Sequence, residues 1–207
     1  MAGASHRGKF LTLEGVDGAG KSTHIPWIAE RLRSGKPEVI VTREPGGTPL
    51  AEKLRSLVLS EPMDALSETL LMFAARADHV AKVIRPALER GAWVVCDRFT
   101  DATAAYQGAG KGVGAEVIAR LAQAVHPGLR PDLTLVFDCP YEVSRQRLGA
   151  SGRPLDRFEA EAQAFFDRVR QAYQNLAKSE PGRVRLIDGS QPQEQVKNEI
   201  EKIVSML

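Results

Sequence analysis

The sequence predicts an α/β domain in which a five-stranded parallel sheet is flanked by helices on both faces. Three observations predict it. Five short, β-rich apolar runs occupy residues 10–13, 39–42, 93–96, 133–137 and 184–187. Segments long enough for a helix lie between consecutive runs, the arrangement that makes a parallel sheet buried on both sides. A glycine-rich turn joins the first run to the first helical segment, as in strand–loop–helix phosphate sites.

Taken in order, Phe10-Leu11-Thr12-Leu13 opens the sheet and Gly15-Val16-Asp17-Gly18-Ala19-Gly20-Lys21-Ser22-Thr23 follows it directly. This is a G-x-x-x-x-G-K-S loop. Its glycines let consecutive backbone N–H groups turn inward around phosphate oxygens, Lys21 adds a mobile positive charge, and the Ser22 hydroxyl can ligand Mg²⁺. The helix expected at residues 22–33 adds the partial positive charge of its N-terminus. Pro26 should remove one backbone bond early in that helix. Further helices are expected at 49–59, 67–90, 115–124, 141–148, 160–178 and 193–207.

Ligands of an open parallel sheet gather at the carboxyl ends of its strands. That rule selects four neighbours: residues 14–22, Arg43 to Thr48, Asp97 to Asp101, and Asp138. Thr48 also reads as a helix cap, and Pro45-Gly46-Gly47 as a turn. An Arg43–Glu44 pair at the mouth of a cleft points to function instead. Asp97 ends a strand beside the phosphate loop, where a carboxylate holds Mg²⁺ or its water, and Arg98 can meet a phosphate with a bidentate fork. Phe73 and Arg76 are three apart and share a helix face. They suit either a buried core position or a site that stacks and hydrogen-bonds a base. The arginine- and glycine-rich stretch from Arg147 to Arg157 suits equally a mobile surface loop and a lid over a transferring phosphoryl group.

At 207 residues, 43% apolar and 26% charged, the chain reads as one domain spanning residues 1–207, with 1–8 as a flexible lead-in. A net charge of +2 gives no reason to expect a nucleic-acid polymer or a membrane as partner. Cys96 and Cys139 match no metal or disulfide spacing and read as buried thiols in a reducing compartment. No apolar stretch reaches spanning length and no hydrophobic leader core precedes Phe10, so a cytoplasmic location is expected. A nucleotide switch fits poorly: there is no N-K-x-D base-reading motif, and the one D-x-x-G lies inside the phosphate loop.

The chain resembles the bacterial thymidylate kinases along nearly its whole length. The matching segments are L-E-G-V-D-G-A-G-K-S-T, T-R-E-P-G-G-T-P-L-A-E, L-L-M-F-A-A-R-A, C-D-R-F-T-D-A-T-A-A-Y-Q-G, R-P-D-L-T-L-V-F-D and L-D-R-F-E. The resemblance implies a nucleoside-monophosphate-kinase-like P-loop fold with a lid at about residues 147–158. It implies transfer of the γ-phosphoryl of Mg-ATP to dTMP, giving dTDP and ADP, by a homodimer. Gly15 to Thr23 and Arg147 would bind ATP, with Ser22 and Asp97 at the metal. For dTMP it implies Phe73 stacked on thymine, Arg76 on a base carbonyl, Thr103 and Gln107 at the base edge, and Tyr106 under the deoxyribose. Arg98 would hold the 5′-phosphate, Asp17 would face the acceptor's 3′-hydroxyl and phosphate region, and Arg43, Glu44, Pro45 and Leu57 would complete the pocket. One version of the family carries a catalytic arginine in the phosphate loop, at the position of Gly18; glycine cannot serve, so this chain resembles the version that supplies it from the lid. Arg153 is the first choice there, with Arg147 and Arg157 in reserve and Lys21, Asp97 and Arg98 as the other catalytic residues.

Overall fold

The computed structural model describes residues 7–34, 38–150, 152 and 154–207. Five strands, β1 (Phe10–Gly15), β2 (Val39–Arg43), β3 (Trp93–Asp97), β4 (Leu133–Asp138) and β5 (Val184–Asp188), form one sheet in the order β2-β3-β1-β4-β5. Every neighbouring pair is parallel. Leu13 pairs with Asp97 and Asp97 with Arg43, so the loops after β1, β2 and β3 leave the sheet side by side.

Burial explains why β1 reads as an unbroken apolar run. All six of its residues are buried, because helices cover both faces. Leu11 and Leu13 join the core formed with Ile28, Val95, Leu135 and Ile187, while Phe10 packs on the other face with Ile84, Leu88, Val94 and Phe99. Burial of a large apolar side chain contributes roughly 1.5–3 kcal/mol, so this alternation anchors the register. The polar residues of the strand, Thr12 and Glu14, are buried too; Thr12 Oγ1 lies 2.8 Å from Thr134 Oγ1.

The helices are α1 (Lys21–Arg33), α2 (Pro49–Ser60), α3 (Ala65–His79), α4 (Arg85–Glu89), α5 (Thr100–Thr103), α6 (Ala115–Val125), α7 (Tyr141–Ala150), α8 (Gln163–Ser179) and α9 (Gln193–Val204). Thr48 Oγ1 accepts from Ala51 N–H and caps α2, and Asp64 caps α3 by accepting from Leu66 and Ser67. The long helix expected at 67–90 starts two residues earlier and carries a π turn, Val80–Ile84, between α3 and α4. Pro86 has no N–H for the carbonyl four residues back, which is where the regular bonding gives way.

Two expectations are corrected. A helical stretch at 100–110, α5 followed by a π turn over Ala104–Gly110, stands where no helix is expected, because Gly108 and Gly110 mask the helical signal. The lead-in expected at 1–8 is already held at Gly8, whose N–H donates to Leu88 O at 2.9 Å. Residues 1–6 lie outside those described.

Candidate active site

The phosphate loop turns sharply at the end of β1. Gly15 has φ +123°, and a Cβ there would sit 2.1 Å from Phe137 O, so only glycine allows β4 this close. Gly20, at φ +101°, stands immediately before α1. Lys21 is buried and its Nζ donates to Gly15 O and Val16 O at 2.9 and 3.0 Å, folding the side chain back over the loop. Burial and Arg98 hold its pKa below the ordinary lysine value, against the pull of Asp17 and Asp97. Val16 and Ala19 point into the core, so their contribution to a phosphate is backbone only. Gly18, Gly20, Lys21, Ser22 and Thr23 line the donor side of the cleft.

Asp97 lines the same side, and its Oδ1 is buried with no hydrogen-bond partner. A buried carboxylate oxygen left unpaired is costly and marks a place for a cation or ordered water. Among the described residues no group of three or more histidine, cysteine or acidic side chains could cage a metal. Mg²⁺ is ordinarily held by one or two protein oxygens, substrate phosphates and water, and the unpaired Asp97 Oδ1 suits it. Ser22 and Asp97 are the residues that would hold it.

Arg98 occupies the junction with the acceptor side in the left-handed region, φ +72°, the one described non-glycine residue there. Its Nη2 donates to Asp17 Oδ1 at 2.5 Å and to the Tyr106 hydroxyl at 3.1 Å, and its Nη1 to Gly15 O at 3.1 Å. The guanidinium lies 4.7 Å from the Tyr106 ring centre, and the Tyr106 hydroxyl donates to Asp17 Oδ2 at 3.0 Å. Burial pushes the Asp17 carboxyl up, but Arg98, Lys21 and the Tyr106 hydroxyl outweigh it and hold the pKa below the usual carboxylate value. Below Arg98, Glu14 accepts from Phe99 N–H and from the Tyr173 hydroxyl, both at 2.7 Å. Burial and Asp101 push Glu14 up to about 8 despite Arg98 and those two donors.

Deeper in, Arg76 and Glu44 form a buried pair, Nε to Oε2 at 2.6 Å. Glu44 is also 2.9 Å from His79 Nδ1, and His79 Nε2 is 2.7 Å from Thr42 Oγ1. Arg76 Nη2 donates to Phe99 O and Thr103 Oγ1, whereas its Nη1 is buried without a partner. Glu44, Pro45, Arg76, Thr103, Tyr106 and Gln107 all line one cavity with Asp17 and Arg98.

The structure relocates several expected residues. Phe73 is buried under Arg76, 4.7 Å from its guanidinium, and near-parallel to His126; Met72, four residues before Arg76, lines the cavity instead, joined by Phe99 and Phe158. Leu57 points outward, 46% exposed, and Leu59, 200° further around α2, takes the wall position. Arg43 pairs with exposed Glu52 and borders the donor side, not the acceptor cavity. Asp138 lines neither: Arg170 holds it with two bonds of 2.6 and 2.9 Å. Arg147 Nη1 donates to Gly18 O and Gly189 O and borders the donor side. Arg157 donates to Val58 O and Glu68 on the opposite flank. Arg153 lies outside the described residues.

Three features went unread in the sequence. Arg55 of α2 borders both sides of the cleft and donates to Pro45 O, and a single arginine on an exposed-looking helix carries no local signal. Asp156 borders both sides as well, with its pKa raised by burial and by Glu159 and Asp17. Gly189, Gln191 and Gln193 close the donor side after β5.

A phosphate loop at the carboxyl edge of a parallel sheet, opening onto a second, arginine-lined cavity, defines a P-loop phosphotransferase of the nucleoside-monophosphate-kinase fold. Comparison with known proteins narrows this. The family model for thymidylate kinase matches residues 13–200, and the chain belongs to the thymidylate kinase family. It is 59% identical over 201 residues to the thymidylate kinase of Bordetella pertussis, covering 97% of this chain and 96% of that one. It is 59% identical over 198 residues to that of Pseudomonas putida, covering 94% and 95%. The crystal structure of thymidylate kinase from Ehrlichia chaffeensis superposes with a TM-score of 0.78 at 34% identity, covering 96% of this chain and 99% of that chain.

Proposed function

We propose that the chain transfers the γ-phosphoryl group of ATP to dTMP, giving dTDP and ADP, in one catalytic domain with residues 147–158 as its lid. The observation that carries this reading is the pair of sites meeting at Asp17, Arg55, Arg98 and Asp156, each of which borders both the phosphate-loop side and the inner cavity. Two phosphates brought there can meet end to end.

A phosphate monoester has its second pKa near 6, so dTMP arrives at neutral pH largely as a dianion whose oxygen is already a nucleophile. The task is to bring two anions in line and offset their charge. Lys21 and the loop N–H groups take the donor's phosphates. Arg98, held by Asp17 and Tyr106, and Arg55 take the acceptor's. Mg²⁺, held by Ser22 and Asp97 with the phosphates, would neutralise charge on the donor. Arg76 lines the inner cavity and its buried Nη1 is a donor without a partner, suited to a base carbonyl. Thr103 and Gln107 stand beside it, with Met72, Phe99 and Phe158 as apolar walls. The Tyr106 ring lies against the Arg98 guanidinium and lines the cavity, where a deoxyribose would rest.

The catalytic arginine belongs to the lid in this reading. Gly18 has φ +75°, and a Cβ there would sit 2.8 Å from Ser144 O of α7, so the loop packs against that helix at a position suited to glycine. Arg153 remains the first choice, because Arg157 is engaged elsewhere. Exposed Leu50 and Leu57 on α2, Leu66 and Leu70 on α3 and Val117 on α6 support a homodimer, which sedimentation at micromolar concentration reads directly. Buried free Cys96 and Cys139, together with ATP and dTMP as substrates, support a cytoplasmic location.

A coupled assay of ADP release with dTMP, dUMP, dCMP and thymidine tests the reading. dTMP is expected to be preferred, and a clear preference for thymidine overturns it.

A further inference from the structure

Glu68, in the first turn of α3, is completely buried, yet it lines neither side of the cleft. Three donors converge on its carboxylate. Gln107 Nε2 donates to Oε1 at 2.7 Å, Lys111 Nζ to Oε2 at 2.9 Å, and Arg157 Nη2 to the same Oε2. Lys111 and Arg157 supply the charge that lets a carboxylate sit in the interior. Gln107 is 1% exposed and lines the acceptor cavity.

An ionised carboxylate only accepts, whereas an amide presents an acceptor on one side and a donor on the other. The amide of Gln107 therefore cannot turn over without facing oxygen to oxygen. Arg76 lines the same cavity and its buried Nη1 is a donor without a partner, so a base meeting Arg76 and Gln107 Oε1 together would face one donor and one acceptor. That pair matches a pyrimidine with a carbonyl at C4 and a hydrogen on N3. It opposes one with an amino group at C4 and a lone pair on N3.

We propose that Glu68 is a specificity-positioning residue: by accepting from Gln107 Nε2 it holds Gln107 Oε1 toward the acceptor cavity and so selects dioxopyrimidine over aminopyrimidine monophosphates. The proposal rests on the reading of the cavity as a dTMP site and names what sets its selectivity. Arg157, at the end of the lid segment, shares the carboxylate, so the lid and the base reader have a common anchor.

The test compares kcat/KM for dTMP and dCMP in wild type, Glu68→Gln, Glu68→Asp and Gln107→Ala, and in Glu68→Gln combined with Gln107→Ala. A glutamine at 68 both donates and accepts, so it tolerates either orientation of the Gln107 amide. Glu68→Gln is expected to shrink the dTMP-to-dCMP ratio by about tenfold or more, through a raised dTMP KM with ATP KM unchanged. Glu68→Asp, still acceptor-only, retains the ratio, and in the Gln107→Ala background Glu68→Gln changes it no further. An unchanged ratio in folded Glu68→Gln, equal losses in Glu68→Gln and Glu68→Asp, or additive losses in the double variant overturn the proposal. A check without a variant is ¹⁵N NMR of the wild type, where the Gln107 side-chain amide should exchange slowly with solvent; fast exchange overturns it too. Wild-type protein that phosphorylates no dTMP refutes the reading of the cavity, whereas a dTMP-selective wild type whose Glu68→Gln variant stays selective refutes only the role of Glu68.

Discussion

The donor side of the cleft draws its phosphate cradle from residues 15–22, one stretch of chain, whereas the acceptor side is assembled from side chains at Glu44, Arg76, Arg98, Thr103, Tyr106 and Asp156. The donor side works through backbone: glycine torsions and N–H groups at the start of α1. The acceptor side works through charge: the buried Arg76–Glu44 pair and the Arg98–Asp17 pair orient each other and leave chosen atoms free. A backbone site needs only the correct local sequence. A side-chain site needs every supporting residue, because an unpaired buried charge is expensive and each partner is held by another.

The contrast predicts unequal responses. The largest belongs to the arginine we propose for the lid: Arg153→Ala should lower kcat by roughly 10³- to 10⁵-fold, the range for arginines in phosphoryl transfer, with dTMP affinity nearly intact by calorimetry. An unchanged kcat would move the role to Arg147, which already touches the phosphate loop. Next is Arg55→Met, which removes one donor from the seam. It should raise dTMP KM by about 10- to 100-fold, the scale of one charge-assisted hydrogen bond, with a smaller change in ATP KM. Equal effects on both substrates would erase the distinction between the two sides. The last effect is on stability alone and touches neither substrate. Glu14 titrates near pH 8 in the fold, above the ordinary carboxylate range, so the native state holds a proton that the unfolded chain releases. Stability from this group is complete below the unfolded pKa and is lost as pH rises through about 8. Relative to Glu14→Gln, wild type should lose up to about 1.4 kcal/mol per pH unit between pH 5 and 8, read from thermal melts. Parallel curves would show that Glu14 is already ionised in the fold.

Tertiary surroundings also decide how far a helix-spacing argument reaches. Phe73 and Met72 both precede Arg76 by about one helical turn, and both suit a base-stacking role by spacing. In the structure the Arg76 guanidinium covers Phe73, while Met72 opens onto the cavity. Leu57 and Leu59 differ likewise, by which side of α2 faces the cleft.

By itself the sequence determined the parallel sheet, the phosphate loop and the positions of Asp97 and Arg98. Strand hydrophobicity, glycine torsions and strand-end placement are local properties, legible within a few residues. Family likeness extended this to Tyr106, Thr103 and Gln107, though not to the helical turn that carries them. Only the tertiary structure decided that Arg55 and Asp156 border both sides, that Arg157 turns to Glu68, and that Glu14 lies under Arg98. The contacts behind the last two cross 89 and 85 residues of chain. Long-range contacts of that kind arise from packing the whole domain, and no local spacing encodes them.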